Sequence, residues 1–144
     1  MTNSILVGEL IYNAIMEDDT LREAIHYQVY DEKLKQNIDK YAIFPLKANN
    51  DTPFPLIVYA RTNVYSDRET KDGVISDTVS FQITIGSDQY FESIELANEV
   101  RDLFEGCVLY NESLTIKNIR MSSINEAFVD DTYIQTLNFD CSAT

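Results

Sequence analysis

Val79-Ser80-Phe81-Gln82-Ile83-Thr84-Ile85-Gly86-Ser87-Asp88-Gln89 is the stretch on which the fold turns. Its first seven residues alternate apolar with polar, the period-two signature of a strand with one face on a core and the other in water. Gly86 ends the alternation, and Ser87 or Asp88 offers an oxygen to cap a helix that begins near Gln89. In that helix Phe91, Ile94, Ala97, Val100, Leu103 and Phe104 form the apolar side, with Glu92, Glu95, Glu99, Arg101 and Asp102 mostly opposite. Gly106 stands where a helix closes on a left-handed residue.

Upstream, Tyr65-Ser66-Asp67-Arg68-Glu69-Thr70-Lys71-Asp72-Gly73 is all charge and turn chemistry. It predicts an exposed hairpin tip over residues 64–76, with Asp72-Gly73 as the reversal. Before it, Phe54-Pro55-Leu56-Ile57-Val58-Tyr59-Ala60-Arg61 is a short apolar run rich in β-branched and aromatic residues, which suits a buried strand with Pro55 at its start. Residues 48–53 read as a loop. Tyr41-Ala42-Ile43-Phe44 reads as a short strand closed by Pro45, whose missing amide argues against a central place in a sheet.

Residues 27–40 are polar and weakly patterned, which predicts a connector with a helical turn around residues 32–36. Thr20 and Glu23 have capping-box spacing, so a short helix should run to about His26. Val7, Leu10, Ile11, Ala14 and Ile15 follow the spacing of one helical face, which places an amphipathic helix over residues 4–18 that the Glu17-Asp18-Asp19 run breaks. Beyond Gly106, strands are expected over residues 114–124 and 133–141, with Leu137, Phe139 and Cys141 on one face. Strands in runs, without strict strand-helix alternation, predict an α+β fold: a mostly antiparallel sheet of four to five strands with two main helices packed on one face. The whole of residues 1–144 reads as a single such domain.

Composition narrows the function classes. The 24 acidic against 11 basic side chains give a formal charge of −13. That charge repels phosphate, and the lysines and arginines are scattered, so specific nucleic-acid binding is not expected. No apolar run approaches the roughly 20 residues a membrane span needs, and the first 16 residues lack a basic leader and carry Glu9 in their apolar stretch. Neither membrane insertion nor secretion is expected, which leaves the sequons at Asn50 and Asn111 without a role. Cys107 and Cys141 lack the spacing of a metal or redox motif and read as reduced small hydrophobes.

The ingredients of catalysis are sparse. With one His and four Gly there is no dinucleotide fingerprint, phosphate loop, nucleophile elbow or zinc-protease motif. His26 has no evident nucleophile beside it and reads as a surface or capping residue. The carboxylate pairs Asp31/Glu32 and Asp130/Asp131 read as solvated faces. The run from Asp67 to Gly73 fails as a calcium loop because Lys71 takes a ligand position and Asp72 sits where the turn glycine belongs. The expectation is therefore no enzyme, no catalytic residue, no cofactor and no metal. Nine tyrosines exceed what a core of this size can bury and point to association, since Tyr pairs an apolar body with a polar tip.

The order of elements carries a resemblance. An N-terminal helix, the proline-flanked strand Thr52-Pro53-Phe54-Pro55-Leu56-Ile57-Val58-Tyr59, a charged loop, the alternating strand Val79 to Ile85 and a helix with Ala97 and Val100 together resemble the small tail-completion and tail terminator proteins of long-tailed bacteriophages. The similarity covers residues 44–104, and the ends by element order. It implies a structural virion protein, at the tail or neck and assembled in the cytoplasm of a bacterial host. Such a protein forms a ring, commonly six-fold, caps the tail tube to stop its polymerisation and presents a surface to the head. The implied partners are other copies of the chain, the tail tube protein and the head or neck connector protein. By the same analogy the hairpin residues Asp67, Arg68, Glu69, Lys71, Asp72 and Gly73 are the candidate interface loop, because exposed loops on a rigid sheet commonly carry contacts. A head-side neck protein and a ligand-binding regulatory domain are the alternatives.

Overall fold

The computed structural model describes residues 4–66 and 76–144. Strand β5 (Asp77–Ser87) lies inside the sheet, as its alternation requires. Val79, Phe81, Ile83 and Ile85 are fully buried, while Ser80, Gln82 and Thr84 are half-buried on the other face. It pairs antiparallel with β4 (Leu56–Ser66) on one side and with β8 (Thr132–Ala143) on the other. Outside β8 runs the long β7 (Thr115–Val129), and the two-residue β6 (Leu109–Tyr110) pairs with its beginning. Outside β4 lies β3 (Ile43–Pro45), which pairs parallel to it. The strand order is β3-β4-β5-β8-β7-β6.

This corrects the expected fold. In place of four to five antiparallel strands with two main helices there is a curled six-stranded mixed sheet with three helices, and 50% of the described residues are in strands against 27% in helices. The short strand expected at residues 41–44 is present as β3, shifted to Ile43–Pro45, and the strand added to this sheet is β6, an edge piece of two residues, too short to show a period. The parallel pairing of β3 joins segments separated by the loop over residues 48–53, which no local pattern encodes. Pro45 sits at the end of that edge strand, where its missing amide leaves no ladder position empty. Register shifts between Arg61 and Asn63 in β4, and at two places in β7, interrupt the ladders; such bulges increase local twist.

Helix α1 (Val7–Glu17), entered through a 3₁₀ turn at Ser4–Leu6, buries Val7, Leu10, Ile11, Ala14 and Ile15. It ends at the acidic run. Asp18 leaves the helical conformation, and its side chain accepts the Leu21 amide at 2.9 Å to cap α2 (Asp19–Ile25). The short second helix thus starts on Asp18 rather than on the Thr20/Glu23 box. Helix α3 (Tyr90–Phe104) buries Ser93, Leu96, Ala97, Val100 and Phe104. Phe81, Phe104 and Phe139 meet at centroid separations of 5.6, 5.1 and 5.7 Å and join helix to sheet. Gly106 has φ +76, and its N–H donates to the Ile119 carbonyl at 3.0 Å, which ties the helix end to β7.

Residues 27–40 are not a connector. They form a second, two-stranded sheet, β1 (His26–Asp31) with β2 (Gln36–Tyr41), paired antiparallel. No helical turn forms at residues 32–36. Instead the Asp31 carboxylate accepts the amides of Lys33 at 2.8 Å and Leu34 at 3.2 Å, and Lys35 closes the loop at φ 53. These strands pair only with each other.

Candidate functional site

The expected interface loop, Asp67, Arg68, Glu69, Lys71, Asp72 and Gly73, lies outside the described residues. Its two legs are described. Ser66 stands opposite Asp77 and Tyr65 opposite Thr78, so β4 and β5 stay paired up to the loop. Tyr65 is exposed, and its hydroxyl accepts from the Asn63 amide at 2.7 Å.

Two other surfaces carry more exposed apolar material. The first is the β1–β2 hairpin, which projects as an arm. Val29 stands opposite Ile38 on one face; Tyr30, opposite Asn37, lies on the other; Leu34 sits at the tip and is 60% exposed. On the Tyr30 face, Asp39 accepts from Gln28 at 3.0 Å and lies 2.8 Å from the His26 ring nitrogen. These two hydrogen bonds, Gln28 first, hold the Asp39 carboxyl below its ordinary value. His26 also leans on the Tyr41 ring at 5.4 Å. Its position is that of a brace at the root of the arm.

The second surface is aromatic and sits where the β7–β8 turn meets the start of α3. Phe128 faces Tyr133 across the hairpin with ring centroids 4.6 Å apart; Tyr133 meets Tyr90 at 5.5 Å, and Tyr90 meets Phe91 at 5.6 Å. Beside them is an open concavity of about 490 Å³ lined by Tyr90, Glu126, Ala127, Phe128 and Tyr133. Phe91, placed by helical spacing on the core side of α3, is in fact 76% exposed here. At the first turn of α3 the core position falls instead to Ser93, which is fully buried.

Polar contacts hold the patch in shape. The Tyr90 hydroxyl donates to the Glu126 carboxylate at 3.0 Å, and the Gln135 amide donates to the same group at 3.1 Å and to Ser93 Oγ at 3.3 Å. Ser93 Oγ in turn donates to the Tyr90 carbonyl at 2.6 Å. The hydrogen bond to Glu126, then burial, raise the Tyr90 phenol above its ordinary value. Ser87 organises the helix start without being its cap residue. Its oxygen accepts the Gln89 amide at 3.0 Å, and its hydroxyl donates to Glu92 at 2.7 Å.

The register fixes how the two surfaces relate. At the root of the arm, the Ala42 carbonyl accepts the Ile57 amide. Ile57 stands opposite Ile85, Ile85 opposite Gln135, and Gln135 opposite Glu126. One transverse row of the sheet therefore begins beside the arm and ends at the aromatic patch. The two lie at opposite edges of the same end of the sheet.

The remaining titratable groups sit apart from both. Cys141 is buried, and burial pushes its thiol up to about 12; Cys107 is half-buried, and both are free. Glu99 lies beside Asp18 and Asp102, and burial first, then the Asp18 contact, raise its carboxyl. Among the described residues no group of three or more His, Cys, Asp or Glu is placed to hold a metal ion, and no helix is long and apolar enough to cross a membrane. Sequence reasoning found the tyrosines of the patch only as members of a count. The local signal that could have singled them out is Tyr90-Phe91 directly after a helix-capping segment, where the first turn is half in solvent.

The sequence matches no protein-family model and no curated protein. The fold does have solved counterparts. A chain of the structure "Virion of native gene transfer agent (GTA) particle" superposes with a TM-score of 0.64 at 12% identity, covering 94% of this chain and 92% of that one. A second solved chain, 11% identical, superposes with a TM-score of 0.53 over 72% of this chain and 79% of that one. At such identities the likeness is one of fold.

Proposed function

We propose that this protein is a structural component of a phage-like virion and, within it, the tail terminator: a ring that caps the tail tube, ends its polymerisation and offers a surface to the head. The observation that carries the reading is the near end-to-end correspondence of the fold with a chain from a gene transfer agent virion. The two exposed apolar surfaces support it. A ring needs a heterologous interface, in which each subunit presents two different patches related by a rotation that closes. An arm at one sheet edge and an aromatic patch at the other are two such patches.

The charge of −13 bears on the mechanism. A ring of six gathers six times that charge around one axis, so self-association has to overcome a repulsion that salt screens over about 8 Å at physiological strength. Assembly is then favoured on the tube, where contacts to a second protein add to those between subunits. Acidic side chains facing the lumen would let DNA pass without sticking.

The test is to add the purified protein to polymerising tail tubes and image the products by negative-stain electron microscopy. Tubes of uniform length bearing a terminal ring support the reading. Rings that associate with heads and leave tubes uncapped support the neck protein instead. Tubes of unchanged, heterogeneous length and a protein that remains a monomer or two-fold dimer would overturn it.

A further inference from the structure

We infer that the β1–β2 arm of one copy seats on the aromatic patch of the next, head to tail, and that this contact is the subunit interface of the proposed ring. The inference rests on the ring reading and specifies which surfaces make it. Its occupant is a second copy of this chain, for three reasons.

The first is geometry. The arm root and Glu126 terminate one transverse row of the sheet at opposite edges, so an arm reaching outward from one subunit meets the patch of a neighbour placed alongside in the same orientation. A two-fold pairing would have to bring both arms and both patches to a single interface, whereas the arm root and the patch lie at opposite edges of the sheet. The second is charge. The tip carries Lys33 and Lys35 on either side of Leu34, and none of the three ion pairs among the described residues engages them. Of the nearby acids, Asp31 is occupied by the loop amides and Asp39 by Gln28 and His26, which leaves Glu32. The patch side is the reverse. Residues 86–92 and 121–134 contain no Lys or Arg, and exposed Asp88, Asp130 and Asp131 stand within three residues of the aromatic side chains in sequence. In a chain so acidic, a lysine-bearing tip and an acid-rimmed patch are complementary.

The third is that both elements are incomplete alone. A lone two-stranded hairpin is marginally stable in water, and this one shows apolar Val29, Tyr30 and Leu34 to solvent. The patch shows Phe91 and Phe128, and beyond its short pairing with β6 the outer edge of β7 has no neighbouring strand among the described residues. An unpaired edge beside exposed aromatic side chains is a docking surface in want of a partner. Leu34 and Val29 against Phe128 and Phe91 would make the dry centre of the contact, with the lysines and aspartates at its rim.

Cysteine cross-linking tests the pairing. Leu34→Cys and Phe128→Cys change exposed side chains, and circular dichroism against the unaltered protein checks that each variant folds. The double variant, oxidised at a salt concentration where the unaltered protein associates, is expected to give a ladder of disulfide-linked species above the dimer. Each single variant alone should give no more cross-linking than the unaltered chain, and an equimolar mixture of the two should give only the mixed dimer. Rings of the unaltered protein together with no ladder from a folded double variant would overturn the inference and leave the ring reading standing. A ladder that builds open filaments supports the contact and counts against the closed ring. Homodimers from Leu34→Cys alone at the yield of the mixture would show a two-fold arm contact and overturn the inference.

Discussion

The hydroxyl of Tyr90, in the first turn of α3, donates to the carboxylate of Glu126 near the exposed end of β7, 3.0 Å away and 36 positions along the chain. With the Gln135 amide on the same carboxylate, it fastens the turn of the β7–β8 hairpin to the body of the protein. Residues 122–129 of β7 are otherwise exposed, so this carboxylate keeps the aromatic patch in one arrangement.

The phenol of Tyr90 should accordingly titrate above its ordinary value. It holds its proton more tightly in the folded than in the unfolded chain, so the linked stability is present below the ordinary value near 10 and is lost as pH rises through the folded value. Ring resonances followed by NMR through the alkaline range should show Tyr90 late, and Glu126→Gln should move it back toward the ordinary value. Hydrogen exchange in residues 122–129 should quicken in the same variant. A Tyr90 titration unchanged by Glu126→Gln would remove the contact from solution.

Glu99 gives a prediction of the same sign in the acid range. Burial, and the carboxylate of Asp18 beside it, raise its carboxyl, so it stabilises the fold fully below its unfolded value near 4.5 and that contribution is lost as pH rises through the folded value. Glu99→Gln should raise the melting temperature at neutral pH and flatten its dependence across the mildly acid range. A variant less stable than the parent at pH 7 would contradict this account of the site.

Phe81 and Phe128 separate core from surface. Phe81 is fully buried between Phe104 and Phe139, and truncation to Ala should cost about 3–5 kcal/mol by denaturant unfolding, a large share of the roughly 5–15 kcal/mol that holds a domain. Phe128 is 57% exposed in the single chain. Phe128→Ala should change monomer stability by less than about 0.5 kcal/mol while weakening self-association. Equal losses at the two positions would mean that the patch belongs to the core.

What the sequence discloses follows burial. β5 is legible because one of its faces is wholly covered, so Val79, Phe81, Ile83 and Ile85 stand out against Ser80, Gln82 and Thr84. α1 is legible for the same reason at helical spacing. The β1–β2 arm is not, because only its root packs on the core, through Tyr27 and Tyr41, and beyond it Val29 and Tyr30 are neighbours in sequence on opposite faces, both exposed. β7 runs past the expected residues 114–124 to Val129; Ile116 and Ile119 are buried, but residues 122–129 have no inner face and so no period to read. The patch escapes notice on the same ground. Phe91 falls at a core spacing yet lies beyond the edge of what α3 covers, and Glu126 is one of 24 acids until the register sets it beside Tyr90 and Gln135.

The central claim, that an acidic subunit closes into a ring through head-to-tail surfaces, is tested most directly by sedimentation velocity of the purified protein across a salt series. The account predicts a monomer of 16.5 kDa at low ionic strength, where the charge of −13 per chain is unscreened, and a shift to one discrete ring species as salt rises. A stable ring at low salt and low micromolar protein would contradict the electrostatic part. A monomer or dimer at every salt concentration, with or without tail tubes, would contradict the claim itself.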